Sequence, residues 1–244
     1  MVNKLLPRHV FQNRFWRKAL FLSLVLAFVL APLLALQSTP AEADGWVIEC
    51  ADCPKQFWGM TDRSLRLDAG WHPHIAYGRD HLYYAWHDGV SWHYEMVDDS
   101  PGVGDDASLA LDEGDYPHIS YSGLKYAYQD ASGWHIEIVD KGGCWTSLAL
   151  DGYGYPHISY WDGNLKYAYK DASGWHIQTV DSEGDTGWST SLALDRDGYP
   201  HISYYYCGTY SWCEAGDLKY AYQDASGWHI EAVEIGRASC RERV

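Results

Sequence analysis

Residues 147–181 read SLALDGYGYPHISYWDGNLKYAYKDASGWHIQTVD, and this stretch decides the fold. It contains four short runs in which apolar and polar residues alternate: S-L-A-L-D, H-I-S-Y, L-K-Y-A-Y and W-H-I-Q-T-V. Such alternation is typical of β-strands, because successive side chains of a strand point to opposite faces of the sheet. The links between the runs are rich in Gly, Asp and Ser, which form tight turns. The stretch therefore predicts four strands joined by three hairpins.

The same unit occurs four times along the chain. The copies span about residues 64–98, 108–140, 147–181 and 191–233, and each begins with a Ser-Leu pair. The second and fourth copies nearly match the third, whereas the first is a looser copy. Radial stacking of four-stranded sheets gives a β-propeller, whose blades have about this length. We therefore expect an all-β fold with four complete propeller blades of a larger ring.

Alternation within one copy also predicts how the blades pack. In the third copy we expect one bulky face, made of Leu148, Leu150, Ile158, Tyr160, Leu165, Tyr167, Tyr169, Trp175 and Ile177. We expect a small, weakly polar face on the other side, made of Ser147, Ala149, His157, Ser159, Ala168 and His176. Since stacked sheets bury their faces against each other, bulky faces are expected to pack on small faces from blade to blade.

Both ends of the chain differ in composition from the repeats. Residues 1–43 combine a basic leader, an apolar helical run and a small-x-small site, which predicts a signal peptide; an uncleaved membrane anchor is the alternative. Residues 44–63 begin with a copy of a fourth strand, which predicts a ring-closing strand and a linker. Residues 234–244 (EIGRASCRERV) match one reading frame of a sequencing adapter, so we expect a disordered artefact there. The predicted location is secreted or cell-surface.

The charge of the chain excludes several classes of partner. The 244 residues include 18 basic and 33 acidic side chains, for a net charge of −15. Residues 1–43 and 234–244 contribute eight basic and three acidic side chains, so the remainder has 10 basic and 30 acidic ones and a charge of −20. Such a surface repels phosphate polymers and anionic lipids. We expect no nucleic-acid partner, and membrane contact only through an uncleaved N-terminal segment.

The repeats resemble those of secreted bacterial β-propeller proteins with the pattern SLALDxxGxPHISYxD…LKYAYxDxxxWxIETVD, over residues 64–233. More distantly, the chain resembles sialidase-type propellers, in which an Asp-box hairpin joins the third and fourth strands. Residues 130–134 (DASGW) occupy the equivalent turn but depart from the Asp-box spacing. The resemblance implies the propeller architecture and a scaffold or binding role more than a reaction, and it assigns no catalytic residue.

The loops on the two sides of such a ring differ in variability. The first and third hairpins of each blade project from one side of the ring, and their sequences are nearly the same in every copy. The second hairpins and the connections between blades share the other side, here called the variable-loop side, and they vary. Variable loops on a rigid frame often carry binding sites, although tolerated drift is the alternative. Aromatic faces beside carboxylates suit stacking on sugars or contact with a basic protein. The candidate ligand-binding residues are Trp145, Trp161, Asp162, Trp188, Tyr206, Tyr210 and Trp212.

The recurring His and Asp residues are interpreted as structural. The His residues lack metal-ligand spacing, and strand alternation predicts that they are buried between blades. The Asp residues precede turns, where a carboxylate binds backbone N–H groups, and their spacing matches no EF-hand loop. We therefore expect no cofactor, and Ca²⁺ is an alternative that the spacing does not support. The residues are His74, His118, His157, His201, His93, His135, His176 and His229, with Asp68, Asp112, Asp151, Asp195, Asp88, Asp130, Asp171 and Asp224.

The cysteines suit an oxidising compartment. Cys207 and Cys213 bracket an insertion in the last copy, and we expect a disulfide between them. Cys50 and Cys53 are further disulfide candidates, either with each other or with cysteines elsewhere.

The sequence predicts a secreted, non-catalytic β-propeller that binds a glycan or an extracellular protein through its variable-loop side. One alternative is a glycoside hydrolase or lyase of sialidase-like propeller fold, and the other is a purely structural repeat of a large cell-surface protein. We favour a non-enzyme because no Ser-His-Asp or Cys-His motif stands out and the arginines are scattered rather than clustered. No catalytic residue is predicted.

Overall fold

The fold was analysed in a computed structural model, which describes residues 63–208 and 216–233. These residues form β-strands, turns and loops, and the described ranges contain no α-helix. Of the predicted segments, residues 1–43, nearly all of 44–63 and residues 234–244 lie outside the described part and stay predictions. The described part also contains no helix long and apolar enough to cross a bilayer.

The strands fall into four blades of four strands each. Blade 1 consists of β1 (Leu65–Leu67), β2 (Pro73–Gly78), β3 (Leu82–His87) and β4 (Trp92–Asp98). Blade 2 consists of β5 (Ser108–Leu111), β6 (Pro117–Tyr121), β7 (Lys125–Asp130) and β8 (Gly133–Ile138). Blade 3 consists of β9 (Cys144–Leu150), β10 (Pro156–Trp161), β11 (Leu165–Asp171) and β12 (Gly174–Asp181). Blade 4 consists of β13 (Asp185–Leu194), β14 (Pro200–Gly208), β15 (Asp217–Asp224) and β16 (Gly227–Val233).

Each blade is an antiparallel meander in which the strands lie side by side in chain order. The first strands of neighbouring blades contact one another, β1 with β5, β5 with β9 and β9 with β13. Hydrogen bonds join them, since Ser108 Oγ accepts the N–H of Leu148 at 3.0 Å and Ser147 Oγ accepts that of Leu192 at 3.0 Å. The first strand is therefore the inner strand of each blade. This arrangement confirms the predicted all-β propeller fold.

The register corrects the predicted faces of the blade. Ile158 pairs with Ala168 and Ser159 pairs with Tyr167, and paired residues point to the same side of a sheet. Tyr167 therefore lies on the side of Ser159, not on the side of Ile158. The prediction was wrong because the turn pairs Trp161 with Leu165. The side chains of β11 are therefore shifted by one residue relative to the expected pairing, and each lies on the opposite face from the one predicted. Periodicity within a strand cannot reveal the phase across a turn.

Both faces of a blade are consequently bulky. We call the side of blade 3 with Ser147, His157, Ser159, Tyr167 and Val180 the Tyr face, and the opposite side with Leu148, Ile158, Tyr160 and Ala168 the Ile face. The same names apply to equivalent residues of the other blades. At every described interface the Tyr face of one blade packs on the Ile face of the next. The buried sets are Leu82, Tyr84 and Val97 on Leu109, Ile119 and Tyr121; Leu124, Tyr126 and Val139 on Leu148, Ile158 and Tyr160; and Leu165, Tyr167 and Val180 on Ile202, Tyr204 and Ala221.

A polar contact, here called the clasp, closes each of these interfaces. The carboxylate of Asp181, at the end of β12, accepts the hydroxyl of Tyr204 at 2.7 Å and the ammonium of Lys219 at 3.0 Å, both from blade 4. The same geometry joins Asp98 to Tyr121 and Lys125, and Asp140 to Tyr160 and Lys166. The clasp explains why Val-Asp, His-Ile-Ser-Tyr and Leu-Lys-Tyr recur together in the sequence.

The clasp aspartates are ionised in the folded protein. Burial opposes ionisation of Asp181, but the N–H of Glu183, the Tyr204 hydroxyl and the Lys219 ammonium outweigh it and hold the pKa of Asp181 below its usual range. The pKa of Asp98 and that of Asp140 are lowered against burial in the same way. A carboxyl whose pKa is depressed by folding stabilises the fold at neutral pH, and this stabilisation disappears as the pH falls below about 4.

We predict that Asp181→Ala lowers the free energy of unfolding by about 3 kcal/mol at neutral pH, because the buried Lys219 ammonium keeps only the exposed Glu183 carboxylate, 3.3 Å away, as an acidic partner. The difference from the parent protein shrinks as the pH falls below about 4. Urea unfolding at both pH values measures it. The matched control is Asp197→Ala, an exposed aspartate in the β13–β14 turn, which should change little. Equal effects of the two substitutions would contradict the clasp.

Candidate functional site

Three of the predicted ligand-binding residues come together on the variable-loop side. The indole rings of Trp145 and Trp188 lie 4.3 Å apart between centroids, at an interplanar angle of 31°. Trp161 completes the group, with its ring 5.2 Å from that of Trp145 and 5.9 Å from that of Trp188. We call these three residues the Trp cluster. Each side chain is half-buried, so the cluster leaves part of its aromatic surface to solvent.

The Trp cluster spans two blades. Trp145 is the second residue of β9 and Trp161 is the last residue of β10, both in blade 3, whereas Trp188 lies in β13 of blade 4. Trp145 has φ of 52°, in the left-handed region, and the equivalent residues Asp106 and Ser189 have φ of 55° and 50°. The strand pairing shifts register beside Trp145 in blade 3 and beside Ser189 in blade 4. Such irregularities re-aim side chains at the end of a strand, and here they occur where Trp145 meets Trp188.

One carboxylate holds two of the three indoles. Asp185 Oδ1 accepts the indole N–H of Trp188 at 2.8 Å and that of Trp161 at 3.0 Å. The backbone of the third residue is held by another acid, since Asp106 Oδ2 accepts the N–H of Trp145 at 3.0 Å. The indole N–H groups of Trp161 and Trp188 both donate to Asp185. A ligand would therefore contact the ring faces of these two residues rather than their N–H groups. The cluster is thus a fixed apolar surface bordered by carboxylates.

Asp162, a further predicted site residue, lies beside this surface. Its carboxylate accepts the ammonium of Lys166 at 2.8 Å, and the same ammonium reaches Asp140 at 3.3 Å. The hydrogen bond to Asp162 is the main reason why the pKa of Lys166 is raised. Asp162 is therefore paired to a cation that also closes the interface between blades 2 and 3. Its position next to Trp161 in the chain keeps it at the edge of the cluster.

The pKa values of two acidic groups near the cluster are raised, which favours the neutral form of each group. Burial raises the pKa of Asp105, the charge of Asp106 raises it further, and Arg79 acts in the opposite direction. Burial also raises the pKa of the Cys144 thiol to about 11, with contributions from Asp106 and Asp162. Cys144 is a free, half-buried cysteine. Its thiol is therefore protonated at neutral pH and unsuited to nucleophilic attack.

The remaining predicted site residues do not join the cluster in the same way. The ring of Tyr206 lies under the ammonium of Lys219, 4.4 Å from the ring centroid, in a cation–π contact. Cys207 is disulfide-bonded, and because Cys144 is free, its partner is not among the described cysteines. The pairing of Cys207 with Cys213 stays a prediction. The predicted residues Tyr210, Trp212, Cys213, Cys50 and Cys53 lie outside the described residues.

The two sets of repeated histidines differ in burial. His74, His118 and His157 are buried, and each Nδ1 is hydrogen-bonded to a tyrosine hydroxyl of the third strand, from Tyr84, Tyr126 and Tyr167 respectively. Burial lowers the pKa of all three, so they are neutral structural residues. The other set lies on the outer strands and has side chains 38–42% exposed, each beside an Asp of the preceding turn. The prediction of burial between blades was wrong for this second set.

The opposite side of the blades carries a cavity of about 400 Å³ between the first hairpins of blades 2 and 3. Asp112 and Asp151 line it, but each uses Oδ1 to accept two backbone N–H groups of its own turn. This agrees with the interpretation of these aspartates as turn formers. Within residues 63–208 and 216–233, no group of three or more His, Cys, Asp or Glu side chains is arranged to hold a metal ion.

No family model and no curated protein matches the chain. Several solved structures do match the chain. One is a polysaccharide lyase of family PL25, an ulvan lyase bound to -[GlcA(1-4)Rha3S]-. It has 10% sequence identity and a TM-score of 0.48, and the match covers 72% of this chain and 59% of the lyase. A GH43 glycoside hydrolase engineered to display endo-xylanase and exo-arabinofuranosidase activity has 15% identity and a TM-score of 0.45 over 75% and 41%. A protein of unknown function from Dyadobacter fermentans has 14% identity and a TM-score of 0.44 over 58% and 48%.

The chain thus spans less than two thirds of the length of each of these proteins. Two of the three are carbohydrate-active enzymes by their descriptions. Similarity at this level carries no argument about the site, which is interpreted below from its own geometry.

We predict that Asp185→Ala loosens the Trp cluster, because it removes the shared acceptor of two indole N–H groups. The free energy of unfolding should fall by about 1–2 kcal/mol, and tryptophan emission should shift to longer wavelength as the indoles gain water. Asp162→Ala, which removes a neighbouring carboxylate without an indole partner, is the control for the emission shift. Unchanged emission in Asp185→Ala would show that Asp185 does not order the cluster.

Proposed function

We propose that this chain is a non-catalytic carbohydrate-binding module of a secreted or cell-surface protein, which binds a glycan on the Trp cluster. The observation that carries the proposal is the convergence of Trp145, Trp161 and Trp188, from two blades, into one half-exposed surface. The tyrosines of the blade interfaces Tyr84, Tyr121, Tyr126, Tyr160, Tyr167 and Tyr204 are, by contrast, fully buried. Exposed aromatic surface on a fixed frame is typical of a binding site.

The chemistry around the cluster suits a sugar. The faces of a pyranose ring carry C–H groups, which pack against the electron-rich face of an indole. The sugar hydroxyls at the ring edge donate hydrogen bonds, and the carboxylates of Asp106, Asp162 and Asp185 border the cluster as acceptors. Binding sites for small ligands combine such an apolar surface with a few fixed polar groups. The rigid hold on Trp161 and Trp188 reduces the entropy that ligand binding would otherwise cost.

The charge of the protein narrows the class of glycan. The portion between the predicted signal peptide and the adapter-like tail has three times as many acidic as basic residues, and the acids at the cluster add to the local negative potential. A field of this sign repels sulfated or uronate-rich chains. We therefore propose neutral polysaccharides as the ligand class. An extracellular protein with a basic surface is the competing partner, and the same experiment tests it.

We predict that the chain retards or binds a soluble neutral polysaccharide, such as xylan or hydroxyethyl cellulose, in affinity electrophoresis and calorimetry. Trp161→Ala and Trp188→Ala should each weaken this binding by about tenfold or more, because central aromatic side chains dominate such interfaces. The control is Trp71→Ala, which removes a Trp that is 80% exposed in the first hairpin of blade 1, on the other side. Circular dichroism confirms that each variant is folded.

Three outcomes would contradict the proposal. Binding to heparin in preference to the neutral polymers would reverse the expected charge selectivity. Binding of neutral polymers that survives both Trp161→Ala and Trp188→Ala would show that the Trp cluster only packs blade 3 on blade 4. Capture of a basic protein without any polysaccharide binding would favour the protein partner.

A second candidate function, glycoside hydrolysis, is favoured by one observation. Asp105 has a pKa that is raised by burial and further by the charge of Asp106, which is the direction of shift that a general acid requires. A protonated carboxyl near a second carboxylate is the arrangement that glycosidases use to protonate the leaving oxygen. Asp106 also binds the backbone of Trp145, so the pair borders the proposed sugar surface. Asp105 would be the general acid in this function.

Release of reducing ends from neutral polysaccharides separates the two candidates. A hydrolase predicts turnover that Asp105→Asn lowers by about a hundredfold or more, while polysaccharide binding in Asp105→Asn is retained. A binding module predicts no turnover by the parent chain and binding that depends on Trp161 and Trp188.

A further inference from the structure

The first two strands of blade 4 are longer than those of blade 3. β13 has 10 residues and β14 has 9, whereas β9 has 7 and β10 has 6. The strands otherwise align, so the additional residues are 185–187 at the start of β13 and 206–208 at the end of β14. We call these residues the blade 4 extension. It lies on the variable-loop side.

The blade 4 extension carries the acceptor that orders the Trp cluster. Asp185, its first residue, binds the indole N–H groups of Trp161 and Trp188. In the strand ladder Asp185 is paired with Gly208, the last residue of β14. The position of the shared carboxylate therefore depends on how firmly the end of β14 is held.

The strand pairing within the extension is irregular. Thr186 is paired with Tyr206. The register shifts on both sides of Thr186, before it toward Asp185 and after it toward Trp188. Such bulges disrupt the regular ladder of backbone hydrogen bonds. Backbone pairing alone therefore holds the extension less firmly than it holds the regular part of blade 4.

A disulfide is anchored within this irregular ladder. Cys207 is disulfide-bonded and 0% exposed. It lies between Tyr206 and Gly208, the residues of the extension that pair with β13. A cross-link stabilises a fold chiefly because it removes open conformations from the chain. The disulfide therefore restrains the end of β14 where the pairing is least regular, and through Gly208 it restrains Asp185.

We propose that the disulfide at Cys207 positions Asp185 and thereby makes the Trp cluster a redox-dependent binding surface. In the oxidised chain, Asp185 is held where it binds both indoles. In the reduced chain, the end of β14 and Asp185 gain freedom, so Trp161 and Trp188 lose their shared acceptor. This regulation rests on the proposed function, since it acts on the same glycan site.

The redox step is a thiol–disulfide exchange. A dithiol reductant breaks the bond between the sulfurs of Cys207 and its partner, each sulfur then carries a hydrogen, and the two thiols of the reductant form a disulfide of their own. Oxidation of the two cysteines by a disulfide reverses the step. Since disulfides form and persist in oxidising compartments, a glycan site of this kind becomes competent after export, in keeping with the proposed secreted or cell-surface location.

Hydrogen exchange measured by mass spectrometry on the full chain tests the positioning without any ligand. In Cys207→Ala, and in the parent reduced with dithiothreitol, peptides covering residues 183–192 should exchange about tenfold faster than in the oxidised parent. The reduced parent keeps the Cys207 side chain, so it separates loss of the bond from loss of buried atoms. Dithiothreitol should not accelerate exchange further in Cys207→Ala, which excludes an effect through another disulfide. Peptides of blades 1 and 2 should exchange as in the parent, which shows that the variant is folded.

The matched control is Asp195→Ala, at the opposite end of blade 4. Asp195 accepts the N–H groups of Asp197 and Tyr199 in the first hairpin, so its loss weakens the same blade without touching the extension. Exchange at residues 183–192 should stay as in the parent. Equal acceleration in Asp195→Ala and Cys207→Ala would overturn the proposal, because the disulfide would then act only through the general stability of blade 4. Unchanged exchange at residues 183–192 in Cys207→Ala would overturn it as well.

Binding of xylan or hydroxyethyl cellulose separates this regulation from the proposed function. If the parent binds, Cys207→Ala and the reduced parent should bind about tenfold more weakly, because the loosened indoles must be ordered again by the ligand, and Asp195→Ala should bind as the parent does. Unchanged binding in Cys207→Ala would overturn the redox dependence. If the parent binds no polysaccharide, the proposed function fails, whereas accelerated exchange in Cys207→Ala still supports the positioning of Asp185 by the disulfide.

Discussion

The stacking of a Tyr face on an Ile face, closed by the clasp, is the interaction on which the rest of the structure depends. A single four-stranded blade buries little, because its outer strand is exposed and both of its faces need a partner. The clasp places Asp181 between the hydroxyl of Tyr204 and the ammonium of Lys219, and an apolar contact alone would not fix that register. Each blade thus fixes the position of the next.

The candidate site is a consequence of this stacking. Trp145 and Trp161 belong to blade 3 and Trp188 belongs to blade 4, so the Trp cluster exists only while the two blades keep their register. Asp185 then binds indoles from both blades with one oxygen. The aromatic residues inside the repeats have a different role, since the tyrosines of the third strands are buried in the interfaces.

The sequence was sufficient to predict the number of blades, their strands and the side of the protein that carries the Trp cluster, because repeats and alternation express local geometry. It did not predict the faces correctly, since the phase of β11 depends on how the turn pairs Trp161 with Leu165. It also did not predict the clasp, whose three residues come from three separate segments of two neighbouring blades. The exposure of His93 and its equivalents depends on their position in the outer strand. Such facts depend on contacts between segments far apart in the chain, which a local pattern does not contain.

The most direct test of the account is a crystal structure of the chain with a neutral xylo- or gluco-oligosaccharide. The account predicts that a sugar ring lies flat on an indole of the Trp cluster, with its hydroxyls directed toward Asp106, Asp162 or Asp185. Blades 3 and 4 should keep their relative position, because the clasp holds them before the ligand arrives. An oligosaccharide bound elsewhere, with the Trp cluster bare, would contradict the account.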